Sequence, residues 1–430
     1  MYFREVFRFS SWEERIVGTL IFLFPVFFLT VKSWSIVISF LLFLAALFYI
    51  SRDPGKFFYR WSRYFWCVAF VLLIPFGAEL LAQLTRVELI GGNLDGPSRF
   101  IVAMVLFLYL SQIGSRKRAA FWFGYGAICA TLVTSVSVYF FRDYFWQDIN
   151  KLPTRFATYF VDPNTVGCYQ TVLLVAALAT SYFSYGKSSI RIGVSFVSVI
   201  CAVFVILGSQ SRSAWGSLIA GLVVFVAIVF PWKKALALGV AGLLSFTLIF
   251  SLSIRVQDRV QETIAGVKEW TQGSTDTSTG TRITLAKIDL TLIRLHPFTG
   301  VKDGSLPPYD ELKKEVPELD EHTYNVKLLA GSHAEILAQL VRKGVFFGSL
   351  AVFALFIFPM FFFARAPHDS NCQILSRVIG LTTVVVLTIA GLGIQIFNLK
   401  MTSSFWGVFL AVYFSSSLND YSFVGKTENS

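Results

Sequence analysis

Three residues carry the chemistry that this chain of 430 residues can do: His333, Arg212 and Arg282. A neutral imidazole, with an ordinary pKa near 6.5, can take a proton from an attacking hydroxyl at physiological pH. A guanidinium stays protonated and offers a planar fork of donors that matches phosphate oxygens. Together they suit displacement of a phosphate-type leaving group by a hydroxyl. On residue types alone a plainer reading stays open, in which interfacial arginines anchor helices or contact lipid headgroups. Arg142, Arg155 and Arg255 take that reading first. Of the other histidines, His296 stands beside Pro297 in a turn, His322 follows an acidic run, and His368 is a polar loop residue. Ser332 and Ser349 have no base-and-orienter signature around them.

The elements that must position these residues are membrane helices. The chain is 55% hydrophobic, 17% aromatic and 15% charged, with mean hydropathy +0.64. A soluble domain carries about 25% charged residues. Apolar runs of about 20 residues predict about twelve spans. They are Ile16–Val31, Trp34–Ile50, Phe65–Leu84, Phe100–Ile113, Ala120–Phe141, Thr165–Tyr185, Ile192–Leu207, Ala214–Phe230, Ala235–Ile254, Val345–Phe363, Val378–Phe397 and Met401–Ser417. Glu13, Glu14 and Arg15 precede the first run and no small-residue cleavage site follows it, so no cleavable leader is expected.

Basic residues orient the spans. Arg4, Arg8 and Arg15, then Arg52, Lys56, Arg60 and Arg63, then Arg116, Lys117 and Arg118, fall on one side if the termini share it. Lys187, Arg191, Lys233, Lys234, Arg365 and Arg377 join them. The positive-inside rule makes that side cytoplasmic. It accounts for most of the net charge of +11, so no nucleic-acid partner is needed. The other side receives Arg86–Arg99, Arg142–Pro163, Gly208–Ser213, Arg255–Lys343 and Asn398–Lys400. Three regions result: 1–254 with nine spans, a large external loop at 255–343, and 344–430 with three spans and a tail. Within the loop, Arg255–Trp270 and Arg282–Leu295 read as helices, the polar stretch 271–280 as a connection, and Ser332 as the start of a helix into the tenth span. The acidic stretch from Asp310 to Glu321 is a solvated face, or else a metal or acceptor contact. Of the five cysteines, four fall in spans and Cys372 in a cytoplasmic loop, and no Cys/His metal spacing occurs.

Several segments together resemble the O-antigen ligases, and the related polymerases, of bacterial surface polysaccharide. Ser211-Arg212-Ser213-Ala214 closes an external turn, as that family's Ser-Arg motif does. Arg282 opens a helix in the large loop. His296-Pro-Phe-Thr-Gly300 is similar to the family's His-Pro-x-x-Gly turn, and His333 with Gly344 to its histidine motif. Thr158-Tyr-Phe-Val-Asp-Pro-Asn164 looks like the segment before its sixth span. Ala334 departs from the Asn, Ser or Gln that ligases carry after the histidine, and Gly344-Val-Phe-Phe-Gly348 keeps a later glycine pattern loosely. Both departures leave room for a polymerase.

The resemblance implies an all-α polytopic fold like the C-type membrane glycosyltransferases, with one large, partly helical periplasmic loop. It implies transfer of an O-antigen from undecaprenyl diphosphate to lipid A–core oligosaccharide at the periplasmic face of the bacterial inner membrane. His333 is then the general base, Arg212 and Arg282 hold the diphosphate, and Arg155 is a further substrate contact. The expected reaction inverts the anomeric carbon and uses no metal or other cofactor. A polymerase extending the same lipid-linked glycan is the alternative. A flippase or transporter is the alternative of another class, disfavoured because Glu79 is the clearest charge inside a span while the other charges gather in external loops.

Overall fold

The computed structural model describes residues 6–7, 9, 11–52, 54, 63–112, 116–145, 155–272, 277–302, 305–397 and 399–418. Arg4, Arg8, Lys56, Arg60 and the side chains of Arg142 and Arg255 lie outside the described residues. The described chain is helical: α1 Trp12–Val26, α2 Trp34–Arg52, α3 Arg63–Thr85, α4 Gly91–Leu110, α5 Arg116–Phe145 and α6 Pro163–Ser184. There follow α7 Ser188–Ser209, α8 Arg212–Val229, α9 Trp232–Leu252, α10 Ile254–Thr271, α11 Ser278–Leu295, α12 Tyr309–Glu315 and α13 Glu321–Ala330. The chain closes with α14 Glu335–Val352, a π-helical turn Phe353–Ile357, α15 Phe358–Ala364, α16 Asn371–Gly391 and α17 Lys400–Ser417.

Among the described residues nine helical segments are long and apolar enough to cross a membrane, the tenth expected span falling within the segment Glu335–Ala364. The protein is a multi-pass membrane protein. The three other expected spans are helices too, with reasons to differ. α1 has 15 residues and gives way to turns after Val26. α17 carries Thr402, Ser403, Ser404, Ser415, Ser416 and Ser417, which dilute its apolar character, yet it is buried along its length. α9, by contrast, is 21 residues long and apolar beyond Lys234, and its exposed side chains suit a lipid-facing helix. α4 is longer than expected, because the helix begins at Gly91 and runs through Pro97.

Burial sorts the helices. α6, α16 and α17 form the centre, where Phe405 packs on Phe24, Phe28 and Tyr169 with centroids 4.4–5.9 Å apart. α7 and α9 present Ile192, Phe196, Ile200, Leu243, Leu244 and Leu248 outward, a pattern suited to lipid. α10–α13 build a smaller layer against α14, with Leu285, Ile288, Leu292, Leu312, Val316, Leu319 and Val341 as its core. The acidic stretch staples this layer. Glu318 pairs with Lys287 and Glu315 with Arg294, while Asp320 caps α13 by accepting from the Thr323 N–H.

Candidate active site

Four helices begin at one end of the bundle, and their N-termini meet there. Asp162 caps α6, accepting from the N–H groups of Asn164 (2.9 Å) and Thr165 (3.2 Å), and Pro163 takes the first helical position, where its missing N–H costs nothing. Ser211 caps α8 through the Ala214 N–H, and Thr277 caps α11 through the Gly280 N–H. α14 starts after Ala334. Helix N-termini carry partial positive charge and favour anions.

Arginines strengthen this polarity. Arg212, at the first position of α8, donates to Thr263 (2.7 Å) on α10 and to Thr279 (3.0 Å) and Ser278 (3.2 Å) at the start of α11. Arg155 is not a lipid anchor: its Nε donates to the Ser209 carbonyl (2.9 Å) and its Nη2 to Asn164 (2.8 Å). Arg259, on α10, donates to Gln210 Oε1 (3.1 and 3.3 Å) and to Glu262 (2.7 Å). Gln210 itself sits in the left-handed region, with φ 51°, where a residue other than glycine is uncommon. Arg282, one turn into α11, makes no hydrogen bond among the described residues and lies beside the α16–α17 turn; a Cβ on Gly393 would stand 3.8 Å from its Nη1. Arg155 feels Arg259, Arg282 and Arg212 at once. Among the described residues, these four guanidinium groups face two carboxylates, Asp162 and Glu262. Burial and the neighbouring arginines push Arg155 down to about 10, which leaves it protonated at neutral pH, and burial and Arg212 lower Arg282.

His333 stands in a bend and not, as expected, on the helix that follows. Burial, then Arg282, then Lys327 lower its pKa, against a smaller opposing pull from Asp162. Its imidazole is therefore neutral at pH 7, the form that accepts a proton.

Two glycine turns hold the helix after it. Gly344 breaks α14 with φ 73° and ψ 172°, a conformation essentially confined to glycine. The broken helix is satisfied by the His296–Gly300 turn: the Val345 N–H donates to the Pro297 carbonyl (2.6 Å), and the Val301 N–H to the Val341 carbonyl (2.7 Å). A Cβ on Gly300 would stand 2.5 Å from the Gly344 nitrogen, and a Cβ on Gly344 2.6 Å from the Phe298 carbonyl, so neither position has room for a side chain. Arg86, in the turn just after α3, adds a clamp by donating to the carbonyls of Thr299 (2.7 Å) and Arg342 (2.6 Å). The His-Pro-Phe-Thr-Gly motif is thus scaffold, and His296 ends α11.

Beside the arginines an apolar groove of about 490 Å³ runs between α7, α8 and α9. Three of its lining residues, Leu207, Trp215 and Val256, each stand one helical turn from Gln210, Arg212 and Arg259 respectively. Glu79 lies apart from this site. It is buried against Lys343 (3.3 Å) and accepts from Gln83 (3.0 Å), which makes it half of an internal ion pair.

The structure gathers Arg155, Arg212, Arg282 and His333 at one end of the bundle, with Arg155 among the arginines rather than at a lipid boundary. The sequence alone does not single out Arg259 or Gln210, and it offers Asp162 only as part of the segment Thr158–Asn164. The helical spacing of Val256 and Val260 placed α10, and Arg259 beside them on the neighbouring face was the available signal. Residues 196–346 match the family model described as O-antigen ligase. The match takes in Arg212, Arg259, Arg282 and His333, with Arg155 and Asp162 preceding it. No curated protein gives a match.

Proposed function

From the O-antigen ligase domain that this multi-pass membrane protein carries across residues 196–346, we propose that it transfers an O-antigen from undecaprenyl diphosphate to lipid A–core oligosaccharide. One observation carries the reading: four arginines cluster near His333, and two of them, Arg212 and Arg259, stand one helical turn from residues that line an apolar groove. A polyprenyl diphosphate has this pattern, an apolar chain joined to a compact polyanion. The prenyl tail lies along the groove between α7, α8 and α9. Arg212 and Arg282 hold the diphosphate, with Arg155 and Arg259 beside them.

His333 takes the proton from the acceptor hydroxyl as its oxygen attacks the anomeric carbon. The bond from that carbon to the diphosphate breaks, and undecaprenyl diphosphate leaves with the electron pair. Attack from the face opposite the leaving group inverts the centre. The arginines supply the counter-charge that a divalent cation gives elsewhere, so the transfer needs no metal. The active end faces the periplasm of the inner membrane, and both termini are cytoplasmic.

A polymerase would use the same donor site. Of the two departures that leave room for it, Ala334 occupies the N-cap of α14, where a polar side chain would bond the helix's own N–H groups. Its loss changes a cap, so it does not favour the polymerase. Analysis of the cell envelope of a deletion strain tests the proposal. Core-only lipopolysaccharide with long glycans retained on the lipid carrier supports the ligase. Transfer of at most a single repeat identifies a polymerase and overturns it. Purified protein that loses transfer in EDTA and regains it with magnesium would refute the metal-independent step.

A further inference from the structure

Immediately before His333 lies a buried polar cluster that the transfer reaction does not use. Lys327 on α13, Asp289 on α11 and Ser332 are each no more than 5% exposed. The Lys327 ammonium bonds the Asp289 carboxylate and donates to Ser332 Oγ (2.7 Å), and the Ser332 hydroxyl donates to Asp289 (2.9 Å). Every pair in the triangle is bonded, so its geometry is fixed from three chain segments. Asp289 follows Arg282 on α11 by about two turns and so shares its face. The neighbour of Ser332 in the chain is His333. The cluster therefore ties the bend that carries the proposed base to the helix that carries a proposed diphosphate ligand.

We propose that Lys327 is a positioning residue, which with Asp289 and Ser332 sets the placement of His333 relative to Arg282. This rests on the reading of His333 as base. The charged groups acting on His333 are Arg282 from α11, Lys327 from α13 and Asp162 at the start of α6. Glu335 on α14 is turned away, accepting from the N–H groups of Ile396 (2.7 Å) and Phe397 (3.0 Å). The ammonium thus has a second effect, favouring the neutral imidazole by repulsion. Ser332 touches a lysine and a carboxylate, as an activated nucleophile would, but its burial among these partners fits a strut.

The test is made on the purified full chain in detergent. With four histidines in the sequence, isotope-labelled histidine gives few resonances, and His333→Gln assigns the one that matters. The double variant Asp289→Asn/Lys327→Met removes both charges and leaves neither partner stranded; Ser332→Ala keeps both charges and loses the strut. In the double variant the His333 resonance is expected to titrate at higher pH, and transfer at saturating donor to fall by about 10-fold or more, with donor affinity unchanged. Ser332→Ala is expected to lose transfer by about 5-fold while His333 titrates as in the wild type. If the double variant does not accumulate, Ser332→Ala decides by its rate. Wild-type titration of His333 in the double variant, or a wild-type rate in Ser332→Ala, overturns the proposal, as does a covalent glycan on Ser332. The titration is read without substrate. A fully active His333→Ala would refute the base reading and still leave the link between Lys327 and His333 measurable.

Discussion

Arg259→Gln is the most informative single perturbation of the diphosphate site. The substitution keeps a hydrogen-bonding side chain but removes one positive charge from the four that meet there. Gln210 loses its charged donor and Glu262 its partner. For a guanidinium about 8 Å from a unit charge, Coulomb attraction at an effective dielectric of about 20 is roughly 2 kcal/mol. Arg259 is only partly buried, and screening at physiological salt reduces this to about 1 kcal/mol. A diphosphate carries more than a unit charge, so the donor KM should rise by about 5- to 30-fold. The rate at saturating donor should change little, since the charges acting on His333 are those of Arg282, Lys327 and Asp162. The assay is transfer in proteoliposomes with a lipid-linked glycan, at low and at high salt. The variant should also show a weaker dependence of KM on salt. Arg191→Gln, at the other end of α7 and stacked on Tyr182, is the control and should behave as wild type. A donor KM within about two-fold of wild type, with unaltered salt dependence, would refute the electrostatic account of this site.

Other perturbations read other parts of the structure. Because burial, Arg282 and Lys327 all lower the His333 pKa, the base is neutral above that value and protonated below it. Transfer should stay full through pH 7 and decline only below the ordinary histidine value of about 6.5; an acid limb centred above pH 7 contradicts the reading. Gly344→Ala forces a side chain into a glycine-only conformation, at a cost of about 1–3 kcal/mol before its overlap with the Phe298 carbonyl is counted. A lowered melting temperature or membrane level is expected, and normal levels of a fully active variant argue against the clamp. Ala334→Asn supplies the missing cap of α14 and should stabilise the protein by about 0.5–2 kcal/mol without changing the acceptor used. A switched acceptor would make that position a specificity contact.

The membrane class and most helix positions were legible because apolar runs are long and local, and α10 and α11 were legible from their helical spacing. One boundary failed for a local reason: Gly91 to Arg99 reads as a loop until Pro97 is seen inside a helix. In the site, Arg212, Arg282 and His333 were visible from residue type and motif. The environment of Arg155 was not, since its partners Asn164 and Ser209 come from α6 and α7. Arg259 was hidden for the same reason, its role being set by Gln210 across a turn. The scaffold role of His296-Pro-Phe-Thr-Gly300 depends on Gly344, far along the chain, and only packing joins the two. The pairing of Glu79 with Lys343 is likewise a tertiary fact.

The proposed role of His333 as base in a glycan transfer, with the arginines holding the leaving diphosphate, is tested by single-turnover transfer with purified protein. Transfer from a labelled lipid-diphosphate glycan to a core acceptor, together with donor binding, is measured for wild type and His333→Ala. His333→Ala should bind donor as wild type does and transfer about 10²- to 10⁴-fold more slowly. A His333→Ala protein with wild-type transfer would contradict it.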